Sequence, residues 1–471
     1  MVKTIKNICC IGAGYVGGPT MSVIAKNCPH IQVNVVDTNE DRINQWNNAD
    51  LTKLPIFEPG LEKIVEETRG KNLHFSTNIE TELSKADMIF ISVNTPTKTK
   101  GIGAGKAIDL KWVEKSTRQI AKYANGYTIV VEKSTIPVRT AETIKKILTS
   151  KNLSSEYKSN KRKDFSVLSN PEFLAEGTAV DDLTNPDRIL IGGDDEEAIN
   201  SLAEIYSNWV DKDKIVTTDL WSSELSKLIS NAFLAQRISS INSISALCEA
   251  TGADIDNVAK AVGKDKRIGK EFLKVGPGFG GSCFKKDILN LVYICDYYGL
   301  YDVAKYWQKV IDINTWQQSR IVETIVKKMF GNIAEKKLAI LGFAFKANTN
   351  DTRESPAIDI CKKLIEEGAS LSIYDPKVPA QKIIEDLDLG KLSRKEIYKS
   401  NVTIEINLME AVKDSHAIII LTEWKEFKNL DWKDISNKMN SPAYLFDTRS
   451  IVLDHEVEEN GINLWKIGSS N

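Results

Sequence analysis

The apolar run "NICCIG" stops at Gly12 and is followed by Gly14 and Gly17 in a G-x-G-x-x-G frame. Few continuations suit a strand that breaks in this way. The first glycine allows a tight turn, the second lets a pyrophosphate approach the backbone, and the third lets the following helix pack closely while its N-terminus faces the anion. A lone glycine frame is weak, because folding alone also uses such turns. Here a strand precedes it, a helical pattern follows, and a second apolar run ends in Asp37, about twenty residues beyond Gly17, where a carboxylate can hold ribose hydroxyls. Together these define the start of a dinucleotide-binding α/β domain. The acid disfavours a 2'-phosphate and so selects NAD over NADP, against which Arg42 argues mildly; a plain helix cap is the other reading of Asp37.

Short β-branched runs continue to alternate with helical patterns as far as about Val216: "IQVNVVD", "LHFSTN", "ADMIFISVNTP", "YTIVVEKST", "FSVLSNPEF" and "RILIGG". This alternation implies a parallel sheet with crossover helices. In such a sheet ligands lie beyond the carboxyl ends of the strands, which makes Val93, Asn94, Thr95, Pro96 and Thr97, with Ser134 and Thr135, candidates for lining the cofactor crevice. Turn chemistry alone also favours these residue types. From Ser222 to Gly252 the chain has no proline, keeps apolar residues three and four apart, and ends on glycine, so one long helix is expected. Strand patterns restart with "KKLAILGFAF", "SLSIYDPKV", "HAIIILT" and "AYLFDTR". A chain of 471 residues exceeds the size of one core. The expectation is two Rossmann-like, doubly wound parallel-sheet domains joined by a long central helix and helical segment, with boundaries at 1–213, 214–332 and 333–471. The polar stretch from Ser150 to Asp164 reads as an exposed loop.

A formal net charge of -2 gives no reason to expect nucleic acid or a membrane surface as partner. No leader or membrane-length apolar run is evident, and a cytoplasmic protein is expected. Four scattered histidines and seven cysteines without zinc-ligand spacing suggest neither a metal site nor a Ser-His-Asp arrangement, so reduced thiols and other bases are expected.

One cysteine stands apart. In "GFGGSCFKKD", Cys283 follows a glycine run and opens a helical pattern, with Ser282 as the expected N-cap. Helix N-termini and nearby cations stabilise thiolates, and Lys285 and Lys286 supply such charge. The other six cysteines lie in apolar patterns and read as small buried hydrophobes. Asp287 is one turn beyond Cys283 and needs a balancing cation. Lys227 and Asn231, spaced i, i+4 on the long helix, could meet that need or simply form a solvated face.

The ordered motifs "GAGYVGGPT", "VNTPT", "EKSTIPVR", "SNPEFLAEGTA", "NPDRILIGG", "SKLISNAFLAQRISSINSISALCE", "GFGGSCFKKD", "ILGFAFK", "DTRES" and "YDPKV" closely resemble the UDP-glucose/GDP-mannose dehydrogenase family, particularly its eukaryotic UDP-glucose-oxidising members, from about Ile5 to Leu453. The resemblance implies an N-terminal NAD domain, a helical centre, a C-terminal UDP-binding domain, and oxidation of UDP-glucose to UDP-glucuronate by two NAD. It also implies roles for individual residues. Cys283 is the nucleophile that forms a thiohemiacetal and then a thioester. Lys227 and Asn231 hold the C6 oxygen, Asp287 positions Lys227 or a water, and Glu172 and Thr135 serve the hydrolytic water. The cofactor meets Gly12, Gly14, Tyr15, Val16, Gly17, Asp37, Arg42, the two strand-end loops, Glu176, Cys283, Lys286 and Arg353.

On the same resemblance, the sugar nucleotide meets Glu172, Phe173, Leu174, Ala175 and Glu176, and then Lys274, Gly276, Gly278, Phe279, Gly280 and Phe284 of the glycine loop. Phe345, Lys346 and Arg449 complete that set in the C-terminal domain. Arg267 reaches a neighbouring subunit's substrate, implying a dimer with a shared site, and the eukaryotic likeness implies a hexamer. Thr448 and Ser450 depart from the family's usual "FDGR" surroundings, and Ala347 and Asn348 stand where lysine and an acid are usual. Other nucleotide sugars, a one-step hydroxyacid dehydrogenase, and a silent nucleotide-sugar binding protein are the competing readings. The first calls for a substrate panel, the second does not need Cys283, and the third predicts a lost catalytic residue.

Overall fold

The computed structural model describes residues 3–150, 164–389 and 401–469. They form two compact units, one within Met1–Ser230 and Leu289–Tyr298, the other within Asn231–Ile288 and Gly299–Asn471.

The first unit is built on β1 (Asn7–Ile11), β2 (Gln32–Val36), β3 (Leu73–Ser76), β4 (Met88–Ile91), β5 (Tyr127–Glu132), β6 (Asp164–Ser169), β7 (Ile189–Gly192) and β8 (Ile215–Thr218). Their order is β3-β2-β1-β4-β5-β6-β7-β8, so the winding reverses between β1 and β4. Both faces are covered, as the alternation along β1 requires: Ile8 and Cys10 enter one apolar core with Met88 and Phe90, whereas Cys9 and Ile11 enter another with Ile89 and Ile91. Six strands run parallel. β7 instead meets β6 antiparallel at Ser169↔Gly192, and β8 follows β7. The connection from β6 travels away first, packing Leu183 of the helix Ala179–Thr184 with Val23 and Ile64 before it returns.

The second unit carries β9 (Lys337–Leu341), β10 (Ser370–Tyr374), β11 (Val402–Ile404), β12 (Ala417–Ile420), β13 (Ala443–Asp447) and β14 (Ile462–Lys466), all parallel, in the order β11-β10-β9-β12-β13-β14. Its first turn repeats that of the first unit. Gly342 N donates to Tyr374 O at 2.8 Å as Gly12 N does to Val36 O, and Asp375 accepts Phe343 N at 2.7 Å much as Asp37 accepts Ala13 N at 3.0 Å.

The long helix runs from Leu220 to Thr251, 32 residues. The chain passes from the first unit to the second inside it, and returns briefly within the helix Phe284–Tyr297, so the segment expected at 214–332 is divided between the units. The polar stretch expected as a loop lies outside the described residues except for Ser150 and for Asp164, which opens β6. Among the described residues no helix is long and apolar enough to cross a membrane, and no cluster of His, Cys, Asp and Glu could hold a metal.

Candidate active site

At the glycine turn of the first unit, Gly12 has φ +112°, and a Cβ there would lie 2.1 Å from Ser92 O. A Cβ on Gly17, the first helical residue, would lie 2.0 Å from Gly12 O, which accounts for both glycines sterically. Above Gly14 there is open space, with no atom within 4 Å of a Cβ. Tyr15 and Val16 complete the turn, half-buried, and Val16 stands at the cap of the helix Gly17–Asn27. Asp37 accepts Ala13 N and the Arg42 Nη1 at 3.1 Å, while the helix Glu40–Trp46 is capped by Asn39. Asp37 is therefore not a helix cap, and it holds the neighbouring arginine. The two strand-end loops are tied together: Thr95 Oγ1 donates to Thr135 O at 2.9 Å, and Ser134 Oγ to Val93 O at 2.9 Å. Asn94 and Pro96 are exposed, and Thr97 bridges Ile108. An open cradle over Gly14 with an acid at the strand end fits a dinucleotide.

Deeper in the first unit, Glu172 and Lys227 form an ion pair at 3.4 Å with side chains only 6% and 5% exposed. Lys227 also lies 5.3 Å from the centroid of the Phe173 ring, and Arg188 stacks on that ring at 3.9 Å. Leu174 N approaches Glu172 Oε2, Ala175 is exposed with its N–H on Asp182, and Glu176 is half-buried. The sequence reading missed the residue that pins this loop. Glu58, buried, accepts Gly177 N at 2.7 Å and Ala179 N at 3.1 Å, although 119 or more residues separate them in sequence.

Also missed was a polar set behind the ion pair. Lys133 Nζ donates to Asn170 Oδ1 at 3.1 Å and reaches Tyr206 OH at 3.5 Å, while Tyr206 OH donates to the same oxygen at 2.6 Å. Burial lowers the Lys133 ammonium to about 8, a shift that the charge of Glu172 opposes. Glu132 is raised by burial and then by Glu224, which burial brings up to about 7. The one available signal was positional: "EK" is an abrupt pair of charges ending the apolar strand β5.

In the second unit the helix begins at Phe284, and Asp287 N donates to Cys283 O at 2.8 Å. Cys283, not Ser282, thus occupies the cap position, because its carbonyl already closes the first helical hydrogen bond. Ser282 Oγ lies 3.5 Å from Cys283 Sγ. Asp287 is fully buried and held from two sides, by Asn231 Nδ2 and Lys286 Nζ, each at 2.6 Å. Lys285 is instead committed to Glu354 at 2.7 Å. The other six cysteines are buried free thiols, and burial pushes Cys28 up to about 11.

The glycine loop is shaped by Asn314, which accepts Phe279 N at 2.8 Å and donates to Phe279 O. Gly276 N donates to Asn242, and Gly278 has φ +125°. Gly280 packs against Phe345 and Glu354 O, Phe279 meets Phe284 edge-on at 5.9 Å, and Gly281 N donates to Arg353 O. Arg353 grips Asp351 at 2.6 Å. Arg449 bonds Leu421 O and Phe345 O and pairs with Glu423 at 3.0 Å, so this guanidinium is held by its own unit. Lys346 lies over the Phe345 ring, Lys274 is exposed, and Arg267 is on the surface, its guanidinium on Asp265. Thr448, a departure from the family pattern, is buried and donates to Ile420 O; Ser450 bonds Asp256.

An open glycine cradle on a doubly wound sheet, followed by a second unit of the same plan, defines a dinucleotide-binding α/β protein. Three family models match the chain in order: the NAD binding domain of the UDP-glucose/GDP-mannose dehydrogenase family over residues 6–210, its central domain over 221–316 and its UDP binding domain over 339–454. The chain is 56% identical to UDP-glucose 6-dehydrogenase of Gallus gallus over 470 residues, covering 98% of this chain and 93% of that protein. It is 54% identical to UDP-glucose 6-dehydrogenase 2 of Arabidopsis thaliana, covering 98% and 96%. The structure of a UDP-glucose dehydrogenase from Pyrobaculum islandicum superposes with a TM-score of 0.82 at 28% identity, covering 99% of this chain and 98% of that one. The chain belongs to the UDP-glucose/GDP-mannose dehydrogenase family and is an NAD-dependent oxidoreductase.

Proposed function

We propose that the protein oxidises UDP-glucose at C6 to UDP-glucuronate in two steps, through a thioester on Cys283. The carrying observation is that Cys283, the only one of the seven cysteines not buried, caps a helix whose first turn holds Asp287 between Asn231 and Lys286. The matched UDP binding domain and relatives that carry the name UDP-glucose 6-dehydrogenase support the substrate.

NAD, bound at the glycine turn once for each oxidation, would supply the hydride acceptor, the first NADH leaving before the second NAD enters. In the first, the C6 alcohol gives up a hydride and a proton and becomes an aldehyde. The Cys283 thiolate adds to the aldehyde carbon, and the oxygen takes a proton to give a thiohemiacetal. Loss of a second hydride and a proton leaves the thioester; water then displaces the sulfur, restoring the thiolate and releasing the carboxylate. Covalent capture prevents escape of the aldehyde.

Lys227 and Asn231 hold the C6 oxygen as charge develops on it, and Asp287 orients Asn231. Glu172 accepts the proton of the hydrolytic water, with Thr135 as its partner. Phe173, Leu174, Ala175 and Glu176 line the sugar. Lys274, the glycine loop with Phe284, Phe345, Lys346 and Arg449 receive the nucleotide diphosphate, while Lys286 and Arg353 serve the cofactor. The working form is a homo-oligomer, a hexamer built from dimers, in which Arg267 enters a neighbour's site.

Reaction to completion is expected to yield two NADH per UDP-glucose. One NADH, or turnover confined to a different nucleotide sugar in a panel, overturns the proposal, as does full turnover by Cys283→Ser.

A further inference from the structure

Among the described residues, Lys133 is the one buried cation near the Glu172–Lys227 pair to which the proposed mechanism gives no task. It is 3% exposed, and among the described residues no carboxylate oxygen lies within 4 Å of its Nζ. Its side-chain partners are neutral: Asn170 Oδ1 at 3.1 Å and Tyr206 OH at 3.5 Å, with the Tyr206 ring centroid 5.9 Å away. These partners are themselves fixed. Asn170 donates through Nδ2 to Leu190 O at 2.8 Å and through its backbone N to Glu132 O at 2.8 Å; Tyr206 is 1% exposed and spends its proton on Asn170.

A lysine kept only for packing could be a methionine, and a lysine kept for stability would contact its counter-ion, because an unpaired buried ammonium is costly. Here the ammonium is clamped by neutral groups in the electrostatic reach of a carboxylate that already has a closer partner. The charged and titratable groups facing it are Glu172 from the loop after β6, Lys227 from the long helix, Glu132 at the end of β5, Cys10 on β1 and Tyr206 from the helix Glu196–Tyr206. Glu172 attracts it most strongly and Lys227 repels it. The Tyr206 phenol, raised chiefly by burial and then by Glu172, remains the proton donor in this set.

This inference rests on the roles proposed for Lys227 and Glu172. When Lys227 turns to the C6 oxygen of the sugar, it leaves a carboxylate only 6% exposed at the stage where that carboxylate must accept a proton from water. We infer that Lys133, clamped by Asn170 and Tyr206, is the standing counter-charge of Glu172, a positioning residue that serves thioester hydrolysis rather than hydride transfer. A mobile lysine and a fixed one divide the work: one follows the oxygen, and the other stays clamped behind the base.

The test uses the 471-residue enzyme carrying Lys133→Met, which keeps the unbranched stem as far as Cε and removes the charged ammonium. NADH release in the first turnover should stay within about threefold of the parent, whereas steady-state kcat at neutral pH should fall at least tenfold. The acid limb of the kcat profile should move up by one pH unit or more, so that raising the pH restores turnover. Equal loss of first-turnover and steady-state rates with an unmoved profile overturns the inference, because a packing defect would act that way. Tyr206→Phe, which removes one clamp and leaves the charge, should move the limb in the same direction by a smaller amount. If Lys133→Met does not fold, that variant decides, and an unmoved limb again overturns the inference. The NADH stoichiometry of the parent separates the two levels. Two NADH with an unmoved limb sinks only the role of Lys133; one NADH sinks the reading on which it rests.

Discussion

At the scale of single residues, the first unit buries the charged side chains Glu58, Glu132, Lys133, Glu172, Glu224 and Lys227, and Glu224 among them should leave a mark on pH dependence. Glu224 is 2% exposed, accepts Arg139 N at 2.6 Å and Ala141 N at 2.7 Å at the start of the helix Thr140–Leu148, and is raised by burial from 4.5 to about 7. A carboxyl raised on folding favours the folded state fully below its unfolded pKa, and that contribution is lost as pH rises through the folded value. The window is therefore roughly pH 4.5 to 7, worth about 3 kcal/mol at ~1.4 kcal/mol per pH unit. Glu224→Gln should flatten the parent's fall in Tm across this window; melting curves at pH 5 and pH 8 check it, and an unchanged difference between those curves counts against it. Asp287→Asn should lower kcat by about a hundredfold, because the carboxylate holds Asn231, which the proposed mechanism places on the C6 oxygen. Steady-state kinetics decide.

At the scale of elements, two glycine loops have opposite requirements. A Cβ on Gly14 meets no protein atom within 4 Å, so Gly14→Ala should leave Tm within about 2 °C and raise the NAD KM about tenfold or more. Gly278, at φ +125° with a Cβ position 2.7 Å from Asn314 Oδ1, should lose about 1–3 kcal/mol on substitution by alanine. Thermal melting with NAD titration distinguishes the two outcomes. The same contrast explains what could be read in advance. The glycine frame, the apolar alternation of β1 to β7 and the long helix are local patterns, and they were legible. β8, β11 and β14 were not, because "IVTT", "VTI" and "INLWK" are short or half-polar edge runs that only pairing makes into strands. Cys283 announced itself by its glycine context, but its position one residue before the helix did not. Lys133, Asn170 and Tyr206 were illegible because they meet only when β5, the turn after β6 and a helix end are packed together.

At the scale of the whole molecule, the proposed sharing of Arg267 makes a prediction that no single-subunit property can imitate. Arg267→Ala and Cys283→Ser should each be inactive alone. After subunit exchange at equal amounts, half of the dimers are mixed and one of the two sites in each is intact, so about a quarter of the parent activity should return. No recovery after exchange verified by mass would exclude the shared site. The repeated turn at β1 and β9 has its own consequence, expressed in lone pairs. A carboxylate offers about four hydrogen-bond acceptor positions. Asp375 already serves five donors: Phe343 N, Ala344 N, Lys377 N, Val378 N and Trp424 Nε1. Asp37 serves three: Ala13 N, Asn39 N and Arg42 Nη1, the last of these a side chain that can swing away. Two aspartates in equivalent places thus differ in vacancy, and a ribose can be received only by the one whose acceptors are not already taken.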